Sequence, residues 1–435
     1  MLITDKEVLK NYTAKKRVWQ GIPGIEVTKK GRIFAAFYSG GVEEELENYA
    51  ALIKSDDGVN FSEPIAVVFL KEHRCYDECL WIDPLDRLWF IWSVMPNHAV
   101  YAVICDQPDE EELVWGKPFL IGHDVLLNKP IVLSSGEWLF PVAVWGENVW
   151  EWLPERRTKQ TDMRAFVYRS TDQGKTFERL GGVDMPQRAH DEHMVVERAD
   201  GSLMMFVKTR YGIGVSYSYD KGITWSDGKD SGIAGPNARF HIKRLKSGRI
   251  LLVNHYEFQG RNNLTALLSE DEGRTWKYKL LLDERNNVSY PDSAEDDEGN
   301  IYIIYDRERG VAKKNLKEVY ECAREILYAK IREADIIAGA LVCPDSKLKC
   351  IVTKLGEYEG EPLDFSNRKR YRKIALYLAD GERNDIIDRA FQYFNKRGCS
   401  ELKKEEHIRL QELMTEKTDN QSLALEFVRF FMNRG

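Results

Sequence analysis

Acidic, basic and phenolic side chains recur in this sequence beside short apolar runs, where one cavity could collect them. Asp191, Glu192 and His193 stand just before the run Met194–Val196, and Arg210 with Tyr211 follows the next run, Leu203–Val207. Arg239 and His241 precede Ile250–Val253, and their i, i+2 spacing turns both to one side of a strand. Tyr290 and Asp292 precede Ile301–Tyr305, which Asp306 and Arg307 close. Upstream, Glu43, Glu44, Glu45, Glu47 and Asn48 lie between two strand-like runs. Tyr76-Asp77-Glu78 and Asn128-Lys129-Pro130 each open another. Two carboxyl groups facing one sugar can cleave a glycosidic bond, one giving a proton and the other acting from the far side. Glu45, Glu47, Asp77, Asp191 and Glu192 are the acidic candidates for such a pair. Arginine suits an anionic substituent because its planar fork binds carboxylates in bidentate fashion. Taken singly, such residues have plainer roles, since an acidic run is usually a solvated loop.

The elements that must position these groups repeat. The pattern Ser-x-Asp-x-Gly-x-Thr-aromatic occurs at Ser170–Phe177, Ser218–Trp225 and Ser269–Trp276. A degenerate copy runs Lys54–Phe61, with Lys54 in the place of the Ser. The pattern is that of a tight turn: Ser and Asp oxygens accept from loop amides, the Gly takes a positive φ, and the aromatic ring plugs back between strands. The glycines fall at 58, 174, 222 and 273, and the last two intervals of about 50 residues suit a four-stranded propeller blade. Turns such as Asp200-Gly201, Ser247-Gly248 and Glu298-Gly299 lead into apolar strands. Six units follow, at about 17–65, 66–115, 118–182, 188–232, 234–284 and 286–338. The fold class is therefore all-β, a six-bladed β-propeller over residues 1–340. Residues 341–435 form a mostly helical extension, with helical spacing at 383–396, 404–416 and 420–433. Its expected role is packing on the propeller or joining copies into a homo-oligomer.

Composition excludes several classes. The net charge of −7 carries no nucleic-acid footprint. No run of about 18 apolar residues is present, so no membrane partner is expected. The N-terminus has no apolar signal region, and seven Cys without framework spacing suit reduced thiols. A cytoplasmic location is the expectation. No Rossmann fingerprint, phosphate-binding Gly loop or metal-ligand spacing occurs, so no cofactor and no metal are expected. Eleven Trp and twenty Tyr supply rings on which sugars stack, although strand packing accounts for most of them.

The repeated Asp boxes on six units resemble the sialidase (neuraminidase) superfamily over about residues 17–338. The resemblance implies a Tyr nucleophile activated by a Glu, an Asp acid/base and three arginines on the substrate carboxylate. On this sequence it places Glu192 as the base, Tyr290 as the nucleophile, and Arg210 and Arg239 in the clamp. Glu45 or Glu47 is the implied acid, with Asp77 as the second choice. Asn48, Lys129, Asp191, His193, Tyr211, His241, Asp292 and Arg307 are the further substrate contacts. The family's opening Arg-Ile-Pro reads Gly21-Ile22-Pro23 here, so the first clamp Arg is missing, with Arg17 and Arg74 as possible substitutes. The implied activity is removal of a terminal, acidic sugar from a glycan. A propeller glycosidase or lyase for another sugar, and a non-catalytic carbohydrate-binding propeller, are the alternatives.

Overall fold

A computed structural model describes residues 1–71, 73–95, 99–145, 162–309, 315–363, 374–375, 377–380, 382–395 and 402–432. Its strands form six antiparallel sheets, five of them four-stranded meanders in sequence order and the first a meander of the same kind with the N-terminal strand Leu2–Ile3 added outside Ala66–Val68. The inner strands are Gln20–Val27, Arg74–Ile82, Ile131–Val132, Arg188–Glu197, His241–Arg244 and Val288–Glu295. These sheets are the six blades, and the chain is a six-bladed β-propeller with small C-terminal helices.

Blade ends differ from the sequence-derived units at three outer strands. Ala66–Val68, with Leu2–Ile3 paired outside it, completes blade 1, Phe119–His123 completes blade 2, and Lys347–Lys354 completes blade 6. The propeller therefore runs past residue 340. The outer strand of blade 6 is mostly half-exposed or exposed, so it lacks the apolar run that marks an inner strand. A short helix, Glu333–Ala338, also separates it from its partner strand.

Among the described residues no strand is shared between the first and last blades, and side-chain hydrogen bonds stitch the ring. Gln20 Nε2 donates to the carbonyls of Arg324 (2.9 Å) and Thr353 (3.2 Å). The amides of Ile22 and Ile25 donate to Asp306 Oδ2 (2.8 Å) and Asp292 Oδ2 (2.9 Å). Each of these buried groups would otherwise carry a desolvation cost.

The Asp boxes close as their composition requires. In the box at 170–177, Ser170 Oγ donates to Asp172 and accepts from Gly174 N, and Asp172 accepts from Thr176 N and Oγ1. Boxes 218–225 and 269–276 repeat this pattern. The first box carries a correction. Ser55, not Lys54, fills the Ser place, with Asp57 as its Asp. Gly58 then follows directly, so this copy has lost a residue rather than its Ser.

The helices Ile386–Asn395, Lys404–Glu416 and Asn420–Met432 bury an apolar core of their own, including Phe394, Leu410, Phe427 and Phe431. Residues 396 and 433, in the helical spans expected from sequence, lie outside the described residues. Among the described residues no helix is long and apolar enough to cross a membrane.

Candidate active site

The inner strands begin near one mouth of the central channel and end near the other. At the first mouth the pairing register slips in four blades: between Gly21 and Gly24, Tyr76 and Cys79, Arg188 and Met194, and Ser289 and Asp292. Each slip is a bulge, which turns a side chain out of the alternating pattern. The residues so turned have left-handed backbones: Ile22 (φ 56), Asp77 (φ 48), Glu192 (φ 42) and Tyr290 (φ 56). A non-glycine residue there costs about 1–3 kcal/mol, and a β-branched Ile is a stronger outlier. All four line a cavity of about 270 Å³. Backbone strain is thus concentrated where the channel opens.

The cavity holds a coupled pair. Tyr290 Oη donates to Glu192 Oε1 at 3.1 Å, and Lys208 Nζ lies 2.6 Å from the same oxygen. Glu192 Oε2 is buried with no hydrogen-bond partner among the described residues. Burial, then the neighbouring Glu192 charge, pushes the Tyr290 phenol well above its ordinary range, against the pull of Arg309 and Arg261. Tyr290 is therefore a neutral phenol, and any attack by its oxygen needs Glu192 to take the proton as it proceeds. Asp77 shares the cavity and is 4% exposed. Burial raises its carboxyl to about 7, helped by Glu192 and Glu44 and opposed by Arg74. A carboxyl held near neutrality is suited to give a proton and take it back.

Arg74, Lys208, Arg261 and Arg309 supply positive charge to the walls. Arg261 and Arg309 stand over the Tyr290 ring, at 5.5 and 4.7 Å from its centre.

Several residues expected at the site lie elsewhere. Arg210 is exposed in the bend that follows the strand Leu203–Thr209, whereas Lys208, inside that strand, reaches the cavity. The Tyr211 hydroxyl turns toward Gly214 in its own blade. Arg239 is 1% exposed beneath Tyr290, donating to the carbonyls of Leu127, Pro23 and Tyr290 at 3.0 Å each. It binds backbone, not the cavity.

Glu45 and Glu47 face a separate cleft beside Tyr12 and Tyr358, and Glu45 accepts from Val42 N. Asn48 is a buried brace, donating to the carbonyls of Gly40 and Glu43. The loop turns at Gly40 and Gly41, both with positive φ, and this presents Glu44 to the cavity. Asp191 pairs with Arg188, and His193 contacts the Phe166 carbonyl at 2.6 Å, between blades. Arg307 pairs with Glu325 at 3.1 Å, away from the channel. Arg17 lies over the Phe37 ring, whereas Arg74 does line the cavity.

Lys129, His241 and Asp292 belong to the opposite mouth. Lys129 and His241 line a cavity of about 400 Å³ there. Lys129 donates to the carbonyls of Ile25 and Leu80 (2.6 Å each) and pairs with Glu26 (2.8 Å) and Asp292 (3.1 Å). His241 contacts Asp292 at 3.3 Å and Ser293 at 2.8 Å, and burial lowers it to about 3, so it is neutral.

Glu44, Lys208, Arg261 and Arg309 are cavity residues that the sequence reading did not single out. Gly21 was the available signal for Arg309. A Cβ at residue 21 would lie 2.0 Å from Arg309 Cδ, so the missing side chain leaves room for that arginine.

Comparisons with known proteins agree with this architecture. A family model described as a BNR repeat-like domain matches residues 107–303. No curated protein matches the sequence. Among solved structures, a leech intramolecular trans-sialidase complexed with 2,7-anhydro-Neu5Ac is similar, with a TM-score of 0.57 and 15% identity, over 76% of this chain and 70% of that one. The intramolecular trans-sialidase from Ruminococcus gnavus gives 0.55 and 15% over 75% and 97%. The Hadza microbial sialidase Hz136 gives 0.53 and 18%, over 68% of this chain and 64% of its own length. At these identities the likeness is one of fold.

Proposed function

From the premise that the chain is a sialidase-like propeller of BNR repeats, we propose that it is a retaining exo-glycosidase acting on a terminal, acidic sugar. One observation carries the reading: the 3.1 Å bond from Tyr290 to Glu192, in one cavity with a carboxyl, Asp77, held near neutrality.

The steps follow from these groups. The Tyr290 oxygen attacks the anomeric carbon while its proton passes to Glu192, and the bond from that carbon to the leaving oxygen breaks as Asp77 protonates it. A neutral phenol suits an anionic sugar, which would repel a carboxylate nucleophile. Water then attacks the same carbon, giving its proton to Asp77, and the tyrosyl oxygen departs and recovers its proton from Glu192. Two displacements retain the anomeric configuration. Lys208 holds Glu192 toward the phenol.

The test is a screen of nitrophenyl glycosides, sialosides and uronides included, on the full chain and on Glu192→Gln and Tyr290→Phe. Turnover by the parent, lost in both variants, is the expected result. A glycan that binds and is never cleaved overturns the reading in favour of a binding propeller. Cleavage of neutral glycosides alone overturns the acidic substrate.

A further inference from the structure

We propose that the cavity at the opposite mouth of the channel is a second binding site, and that it takes one neutral, hydroxyl-bearing sugar residue held between Lys243 and Glu26. The site is independent of the chemistry proposed above. All six blades contribute to this cavity of about 400 Å³, a volume ordinary for small-molecule sites. Among the described residues all of its cations but one are engaged. Lys29 pairs with Asp86, Lys129 with Glu26 and Asp292, Arg244 with Glu272, and Lys246 with Asp297. The remaining one is Lys243, half-buried on the inner strand of blade 5 and one pleat beyond His241. Its amine makes no hydrogen bond or ion pair with any described residue. Glu26 is 7% exposed and spends Oε1 on Lys129, while its Oε2 accepts no hydrogen bond among the described residues. Polar groups so far from bulk water cost free energy while they lack partners.

Lys243 and Glu26 do not pair with each other, so a ligand between them accepts from one and donates to the other. A hydroxyl does both from one oxygen. A fully charged ligand suits the place less well. Glu26, Lys129 and Asp292 all act on Lys243 through their charges. A ligand ammonium beside Glu26 therefore also meets Lys129 and Lys243, and a ligand carboxylate on Lys243 also meets Glu26 and Asp292. Burial lowers the Lys243 amine, against the pull of Glu26, which brings it closer to a neutral donor. Trp81, 6% exposed, and Val132 give the cavity an apolar wall for the C–H face of a sugar ring. The two cavities of the channel have no lining residue in common. Arg239 lies between them, bound to the carbonyls of Pro23, Leu127 and Tyr290. From Ile22 to Glu26, or from Tyr290 to Glu295, the inner strands advance about 13–17 Å. One sugar ring does not touch both ends.

The experiment is saturation-transfer NMR on the full chain at millimolar ligand. The neutral probes are glucose, galactose, mannose and N-acetylglucosamine, with alanine as the zwitterion and inorganic phosphate as the anion. At least one neutral sugar is expected to bind, and neither of the other two probes. Lys243→Met keeps the apolar stem and removes the charge, so sugar binding is expected to weaken about tenfold or more. Its melting temperature is expected not to fall, because no partner loses a bond. Val132→Trp, which fills the rim of the cavity, is expected to weaken binding as much. Turnover of nitrophenyl glycosides is expected to be that of the parent in both variants. Parent-like sugar affinity in either variant overturns the site. Binding of alanine or phosphate in place of the sugars overturns the sugar assignment, and binding of no probe overturns the proposal outright. Sugar binding that Lys243→Met removes, without turnover of any glycoside by the parent, leaves this site standing and removes the hydrolase. Turnover by a parent that binds none of the neutral sugars does the reverse.

Discussion

The two mouths of one channel hold similar side chains under opposite conditions. At the larger mouth, Lys129, His241 and Asp292 satisfy one another, and none of the three has a left-handed backbone. At the smaller one, Asp77, Glu192 and Tyr290 are held on strained bulges, and Glu192 keeps an unbonded oxygen. Volume alone would point to the end opposite the proposed site of chemistry, about 400 Å³ against about 270 Å³. Lys129, His241 and Asp292 are paired off without a left-handed backbone, whereas the groups proposed for chemistry are less fully satisfied and sit where the backbone is distorted to aim them.

The sharpest way to break this contrast is at the coupled pair. Tyr290→Phe and Glu192→Gln are each expected to lower kcat by about 10³–10⁴-fold, in line with the loss of a nucleophile and its base; the melting temperature should change little in Tyr290→Phe and fall in Glu192→Gln, which leaves the buried Lys208 uncompensated. Steady-state rates and calorimetric scans of the same preparations decide the matter, and a variant retaining a tenth of the parent rate places the chemistry elsewhere.

Lys129→Met should do the opposite. Removing one partner of a buried pair leaves Glu26 and Asp292 uncompensated, at about 3–5 kcal/mol. Urea unfolding should show the loss, while KM and kcat per folded molecule hold. Altered kinetics with unchanged stability would assign Lys129 to the substrate after all.

Asp77 sharpens the comparison through pH. Its carboxyl is raised to about 7 by burial, so the proton needed by the leaving group is present below that pH and lost above it. The parent kcat/KM should fall about tenfold per pH unit above 7, and that limb should vanish in Asp77→Asn. The variant should lose most activity on poor leaving groups and least on nitrophenyl ones. Its folded state also escapes the cost of ionising a buried carboxyl. In the parent the folded protein binds more protons than the unfolded chain between about pH 4 and 7, so parent stability falls across that window and the variant's advantage grows. An unchanged pH profile removes Asp77 from proton transfer.

Arg210→Ala is the smallest effect. The side chain is exposed, so stability should move by less than about 0.5 kcal/mol and kcat/KM not at all. A loss of activity there would restore it to the clamp.

The blades were legible because tight turns and buried inner strands impose local composition. Ser, Asp and Gly at fixed offsets are what such a turn needs, and apolar runs are what an inner strand buries. The first box was misread by one place because a deletion moved Gly58 next to Asp57. Glu192, Tyr290 and Asp77 were legible as polar residues opening inner strands. Arg210 and Arg239 were not: Arg210 falls in the bend just past its strand, Arg239 turns to the carbonyls of Leu127, Pro23 and Tyr290, and no local pattern announces either. Lys208, still inside the strand, reaches the cavity instead.

By itself, then, the chain's order of residues determined the number of blades, the strand starts and the polar character of the channel, since all three depend on neighbours a few positions apart. Which polar residues meet, and at which mouth, was decided only in three dimensions. Arg309 lies in the space that Gly21 leaves open, 288 positions away in sequence, and Lys129 turns to the far end of the channel to satisfy Asp292. Packing and charge pairing act between blades, and no local pattern carries the distance between blades.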